Sequence, residues 1–251
     1  VKGFSQTDLK KAYFDSISPD RMVIAIAGDI TEKEAVTAVE DLFGKMEKNK
    51  VIEPDIKQEA PQNQVRESRE TADRQQAHMI LGFLGTTVTS EDRYPLEVLN
   101  NVLAGQGGRL FMELRDKKSL AYAVTSFTQE GVDPGYFAAY IGCSPEKLAD
   151  AKEGIIAELR SIREEKVSKD EMDRSKKNLI GQFEIELQTN GAMAGSLALD
   201  ELYGNGFDAY RKYPERIEKV TAKDVQRIAE KYIDLSRYSL AVVAPQGVSG
   251  K

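Results

Sequence analysis

The stretch Gly107 to Val124, GGRLFMELRDKKSLAYAV, decides how the rest of the chain is read. Its pattern predicts a helix over 108–117 and a strand beginning at 121, joined at Lys118-Ser119. Arg115 then falls at the end of the helix and Tyr122 at the entry of the strand, seven residues apart. On spacing alone, an arginine beside Asp116, Lys117 and Lys118 reads as a surface charge. A strand-entry tyrosine likewise reads as a half-buried packing residue.

Working outward, the segments 64–71 and 75–85 read as strands. The second holds the apolar run AHMILGFL, which suits a central position in a sheet. A helix follows over 90–104 with Ser90 as its N-cap and Arg93 where a glutamate would complete the capping box. Strands over 121–129 and 135–142 are joined by Asp133-Pro134-Gly135, a hairpin signal. Ser144-Pro145-Glu146 starts a helical block that runs to Ile233 before a final strand. Strands first, helices afterwards and hairpin connections argue for an α+β fold, a layered antiparallel sheet with helices packed on one face.

The two ends of the chain repeat one order. Thr7 to Asp29 reads as a helix with apolar Leu9, Ala12, Tyr13 and Ile17, then a strand over 22–27. At a constant offset of 216 residues, Asp8 falls on Asp224, Ile17 on Ile233, Arg21 on Arg237 and Ala25 on Ala241. The expected organisation is residues 1–48 as the tail of one unit, 49–63 as a linker, 64–246 as most of a second unit and 247–251 as a tail. The linker carries Pro54 and Pro61 and shows no amphipathic period.

Bulk properties exclude several functions. The chain has 251 residues, 41% of them hydrophobic, enough to bury one sizeable core. Lys plus Arg number 35 against Asp plus Glu 41, a net charge of −6, which argues against nucleic acid and other phosphate partners. No apolar run approaches the roughly 20 residues of a membrane span. A single cysteine, Cys143, excludes an internal disulfide framework and leaves both cytoplasm and periplasm open.

Other chemistry-bearing residues read as structural. His78 has Glu67, Glu70 and Asp73 nearby, which make no zinc spacing, so it reads as a structural or surface histidine. Cys143 reads as a packed thiol. The loop Gly105-Gln106-Gly107-Gly108 lacks the Lys-Ser/Thr pair of a phosphate-binding loop and reads as a helix–helix turn. The mixed charges of Arg160 to Lys177, with Ile162, Val167 and Met172 between them, read as the solvated faces of two helices.

The RLF-x-ELR helix followed by Leu120-Ala121-Tyr122 resembles the second-half motif of the pitrilysin/insulinase (M16) zinc metallopeptidases, and the resemblance extends over most of residues 5–245. That resemblance implies the non-catalytic, C-terminal half of a zinc-dependent metalloendopeptidase. Arg115 and Tyr122 would then reach a peptide substrate held by the other half. It further implies an inverted His-x-x-Glu-His zinc motif and a general-base glutamate in the first half. That motif needs two histidines, and this chain has one. No metal or other cofactor is therefore expected to bind here, and the chain alone is expected to be inert. The implied partners are the N-terminal catalytic half or a separate catalytic subunit, a peptide substrate and, through apolar faces of residues 1–48, further copies of this chain. The alternative is a non-catalytic structural subunit of the same family that supports a partner. Ser119 departs from the family pattern, which usually has glycine there to ease a left-handed turn.

Overall fold

A computed structural model describes residues 3–51 and 62–247. Pro54, Pro61 and most of the expected linker and tail lie outside the described residues. The chain forms two compact units, one of Val1–Ala60 with Ile185–Arg211, the other of Pro61–Glu184 with Lys212–Lys251.

The larger unit is built on a five-stranded sheet of β1 (Arg66–Thr71), β2 (Ala77–Leu84), β3 (Ala123–Gln129), β4 (Tyr136–Cys143) and β5 (Ser239–Ala244). The strand order is β1-β5-β2-β4-β3, so the apolar β2 is central, as its composition predicts. β2 pairs antiparallel with β4 and β5, and β3 with β4 through the anticipated hairpin. The sheet is mixed rather than wholly antiparallel, because β1 pairs in parallel with β5. That pairing joins strands nearly a whole unit apart in sequence, and nothing local encodes it.

Alternation divides the sheet into two faces. Met79, Leu81 and Phe83 of β2, Phe137 and Ile141 of β4, and Leu240 and Val242 of β5 point to one side and are buried. Covering them are α3 (Arg93–Leu103), α4 (Leu148–Glu164) and α8 (Ala222–Tyr232). Each helix brings an apolar stripe, among them Leu96, Leu99 and Leu103 of α3 and Val225, Ile228 and Ala229 of α8. The layered α+β architecture is thus present. Ile162, Val167 and Met172 are buried, while Glu164, Glu165, Lys166, Lys169 and Asp170 between them face solvent and Arg163 and Glu171 are half-buried.

The start of α3 differs from expectation. Asp92, not Ser90, occupies the N-cap position, and Ser90 Oγ instead accepts the Asp92 N–H at 3.2 Å. The Asp92 carboxylate is engaged elsewhere, accepting from Arg227 Nη1 at 2.9 Å, Lys231 Nζ at 2.5 Å and the Tyr232 hydroxyl at 3.0 Å. These bonds tie the head of α3 to α8. Burial favours the neutral acid, but the three donors outweigh it and hold Asp92 below the usual carboxylate range.

A second polar tie joins α3 to α7 (Ala209–Lys219), where the Tyr213 hydroxyl donates to Glu97 at 2.6 Å. The Tyr213 ring also stacks on Phe183 of α5 (Lys169–Glu186), centroids 4.2 Å apart. Burial, reinforced by the charge of Glu130, pushes Glu97 up to about 7 against the opposing Tyr213 bond and Arg93. The unfolded chain sheds this proton near pH 4.5 and the folded chain only near 7, so Glu97 destabilises progressively as pH rises through that window. Glu97→Gln removes the buried charge. It is expected to be more stable than the wild type above pH 7, by about 1–3 kcal/mol, with the advantage gone below about pH 4.5. Urea unfolding at pH 4.5 and 8 checks this, and parallel pH profiles would count against it.

The smaller unit contains α1 (Gln6–Ser16), a 3₁₀ turn (Pro19–Arg21), α2 (Glu32–Phe43) and α6 (Asn190–Leu202). α2 was not anticipated, although Thr31 and Glu34 form a capping box that marks its start. Residues 22–27, expected as a strand, form none. A strand requires a hydrogen-bonded neighbour, and no described segment pairs with this one. The two ends nonetheless begin their helices alike. Ser5 and Asp8 box the start of α1, and Thr221 and Asp224, each 216 residues on, box the start of α8. At the same offset Ile24 and Ile26 fall on Leu240 and Val242. The first pair is 44% exposed and the second is buried in the sheet.

Candidate substrate-contact site

The turn from α3 into the Arg115 segment depends on glycine at two positions. Gly105 lies at φ +75°, and a Cβ on Gly108 would come within 2.0 Å of the Ala104 carbonyl oxygen. This is the helix–helix turn anticipated for the loop. The following Arg109 forks onto Glu171 of α5, Nε to Oε1 at 2.7 Å and Nη2 to Oε2 at 3.1 Å. Arg109 and the Ser168 hydroxyl and amide together hold Glu171 down to about 2 despite its partial burial.

The expected α-helix proves to be largely a π-helix, spanning Phe111–Lys117. The Lys118 N–H donates to the Glu113 carbonyl five residues back at 3.1 Å, and the Leu120 N–H closes onto Leu114 at 2.7 Å. π-Winding is uncommon and often accompanies function. Its inner side is anchored by Leu114, which is fully buried. α4 accepts this side chain by placing Gly154 beneath it, where a Cβ would lie 2.6 Å from Leu114 Cδ2. On the outer side the Arg115 guanidinium lies 4.8 Å from the centre of the Phe111 ring, a cation–π contact.

At the junction Ser119 has φ +51°, the left-handed conformation that glycine adopts without strain. Its carbonyl accepts from Lys147 Nζ at 2.9 Å. The junction keeps its turn with serine, at a conformational cost. Ser119→Gly is therefore expected to stabilise the chain by roughly 0.5–1 kcal/mol. A shift of the urea midpoint to higher denaturant checks it, and a fall would mean the serine side chain is needed.

Tyr122 follows at the entry of β3, its backbone N–H donating to the Gly142 carbonyl at 2.8 Å. Arg115 and Tyr122 are both exposed, Tyr122 at 57%. Among the described residues neither side chain makes a hydrogen bond, so the helix-to-strand junction presents a guanidinium and a phenol as open donors.

The remaining candidates take the structural places anticipated. Cys143 is fully buried and burial pushes its thiol up to about 11, far from a reactive thiolate. His78 Nδ1 lies 2.8 Å from the Tyr140 hydroxyl, with the two rings stacked. Among the described residues no three His, Cys, Asp or Glu side chains gather to hold a metal ion, so the donor set for zinc does not exist there. No described helix is long and apolar enough to cross a membrane.

Residues 3–179 match the sequence profile of the peptidase M16 inactive domain. The chain belongs to the M16 peptidase family, as its inactive domain. The uncharacterized zinc protease YmxG of Bacillus subtilis is 30% identical over 98% of this chain and 59% of its own length. The chain thus spans somewhat more than half of that M16 relative. Two solved structures share the fold. A protease from Helicobacter pylori superposes with a TM-score of 0.87 at 21% identity, covering 97% of this chain and 60% of that one. A peptidase M16 inactive domain from Pseudomonas fluorescens does so with 0.80 at 18%, covering 99% and 60%. The supports of this junction, the Leu114 seat on Gly154 and the Arg109–Glu171 fork, left no signal in the sequence. The four-residue spacing of Phe111 and Arg115 was the one local signal for the cation–π contact.

Proposed function

We propose that this chain is the substrate-contacting, C-terminal half of a zinc-dependent metalloendopeptidase, inert without a catalytic half that carries the metal. The observation supporting the reading is the pair of open donors, Arg115 and Tyr122, on one anchored helix-to-strand junction. A guanidinium and a phenol aimed at a peptide donate hydrogen bonds to its carbonyl and, more strongly, to the oxyanion that develops from it. Leu114 and Arg109 fix where those donors stand, which matters because an ångström of misplacement costs heavily in rate. β3 supplies a free edge among the described residues, beside Tyr122, along which an extended peptide backbone could pair.

The matching capping boxes and helix bounds of α1 and α8 support a duplicated unit, with residues 1–48 the tail of the first copy, 64–246 most of the second and 49–63 between them. Exposed Leu9, Tyr13 and Phe14 of α1 support contact with the other half or with another copy of this chain. The test is peptide cleavage by the full-length protein. Cleavage abolished by a chelator, restored by zinc and slowed by Arg115→Ala supports the peptidase half. A full-length protein inert with zinc supplied, or indifferent to Arg115→Ala, would instead favour a structural subunit.

A further inference from the structure

The sheet face opposite the helices carries a pattern that the site above does not use. The register places His78, Ile80 and Leu84 of β2, Tyr136 and Tyr140 of β4, and Phe127 of β3 on this face. From β5 across to β3 no position on it is charged, although 30% of the chain is Asp, Glu, Lys or Arg. Charge returns only on the far strand, at Arg66 and Glu70 of β1. Ile80, Leu84 and Tyr136 are 41, 64 and 45% exposed there. An exposed sheet face ordinarily alternates to polar and charged residues, so a neutral, aromatic one marks a binding surface.

Its relief is specific. Gly82 and Ala138 are cross-strand partners and leave a shallow floor beside Ile80 and Tyr140. Tyr140 is held by its bond to His78, and Gly142 leaves room for the pair, since a Cβ there would come within 3.0 Å of the Tyr140 hydroxyl. The face reaches the proposed donor site, because Ala123, the residue next to Tyr122, pairs with that same Gly142 and shares its side of the sheet.

We propose that this face is the side-chain floor of the substrate site and selects extended peptide segments with uncharged aliphatic or aromatic residues. The inference rests on the peptide-binding reading above and names the substrate class. A peptide laid across the face from the Tyr122–Ala123 end, rather than paired along the β3 edge, meets this neutral surface, where a Lys or Glu side chain would lose water without gaining a partner and an apolar one would gain contact.

The experiment uses the full-length protein with chelator present, so that binding is read without cleavage. Two labelled twelve-residue peptides of equal charge carry either Leu and Phe or Ser at alternate positions, and fluorescence anisotropy gives their affinities. The Leu/Phe peptide is expected to bind about tenfold tighter, a preference of the size apolar pockets supply. Ile80→Glu, and independently Leu84→Glu, should cut that preference to about twofold or less and tighten binding of a Lys-bearing peptide. Both positions are exposed, and unchanged thermal midpoints will show that each variant is folded. No preference in the wild type, or a preference untouched by both variants, overturns the proposal. So does a face already covered by the other half, which would show as lowered stability with selectivity intact. Cleavage that depends on Arg115 without any change of selectivity at Ile80 rejects the floor and leaves the peptidase reading standing. Apolar-peptide binding without cleavage does the reverse.

Discussion

Arg115→Ala in the full-length protein is expected to lower kcat/KM for peptide cleavage about 10²- to 10³-fold, equivalent to roughly 3–4 kcal/mol of transition-state stabilisation. The size follows from the role, since an arginine aimed at a developing oxyanion acts where charge appears and little where it does not. The loss should therefore fall mainly on kcat. If the guanidinium grips only the ground-state carbonyl, KM will rise instead and kcat will stay. Arg115→Lys should recover little, because an ammonium neither lies over the Phe111 ring as a planar guanidinium does nor presents a rigid fork. Tyr122→Phe removes the second donor with the ring retained, and combining it with Arg115→Ala should cost less than the two losses multiplied. Wild-type rates in Arg115→Ala would end the proposed role for this residue.

Leu114→Ala is expected to destabilise the larger unit by about 3 kcal/mol, in the range measured for deleting a fully buried leucine side chain. The usual rescue, in which a core collapses into the cavity, is limited here because Gly154 offers no side chain to move in. The effect should reach beyond stability. Leu114 is the inner anchor of a helix whose outer side carries Arg115, so activity should fall even where the variant remains folded. Leu114→Met, which nearly conserves volume, should lose less than about 1.5 kcal/mol and keep most of the rate. Chemical denaturation with parallel cleavage assays separates these effects. A loss under 1 kcal/mol in Leu114→Ala would show that the helix is held by its backbone closures rather than by its seat on α4.

The parts of this fold that were legible in the sequence are those set by local chemistry. The apolar run of β2 announced a central strand, and Asp133-Pro134-Gly135 announced the hairpin between β3 and β4. Parallel pairing of β1 with β5 was not legible, because long-range register leaves no local pattern. Propensity does not distinguish α- from π-winding, so Phe111–Lys117 gave no warning of its wider turn. The turn at Ser119 was legible only through the family's glycine at that place, and the positive φ of Ser119 shows that the left-handed turn is kept although serine replaces the glycine. The strand expected over 22–27 failed for an instructive reason. Its apolar run was sound, but such a run describes one strand, whereas a ladder needs two. Arg115 and Tyr122 could be picked out as a pair through the resemblance, yet what holds them, Leu114 on Gly154 and Arg109 on Glu171, depends on helices well downstream, Glu171 lying 62 residues after Arg109.

The π-wound segment also constrains how this site can change over evolutionary time. Winding five residues to a hydrogen bond instead of four makes the segment sensitive to length before it is sensitive to composition. A single deletion between Gly108 and Ser119 would let ordinary α-winding return and, at about 100° per residue, would carry Arg115 around the helix to another side. Point substitutions on its outer surface away from Arg115 disturb far less. Apart from Arg115 such a segment can drift in sequence while its residue count stays fixed, so among diverging copies of this fold an insertion or deletion here would displace the arginine as surely as a substitution would remove it.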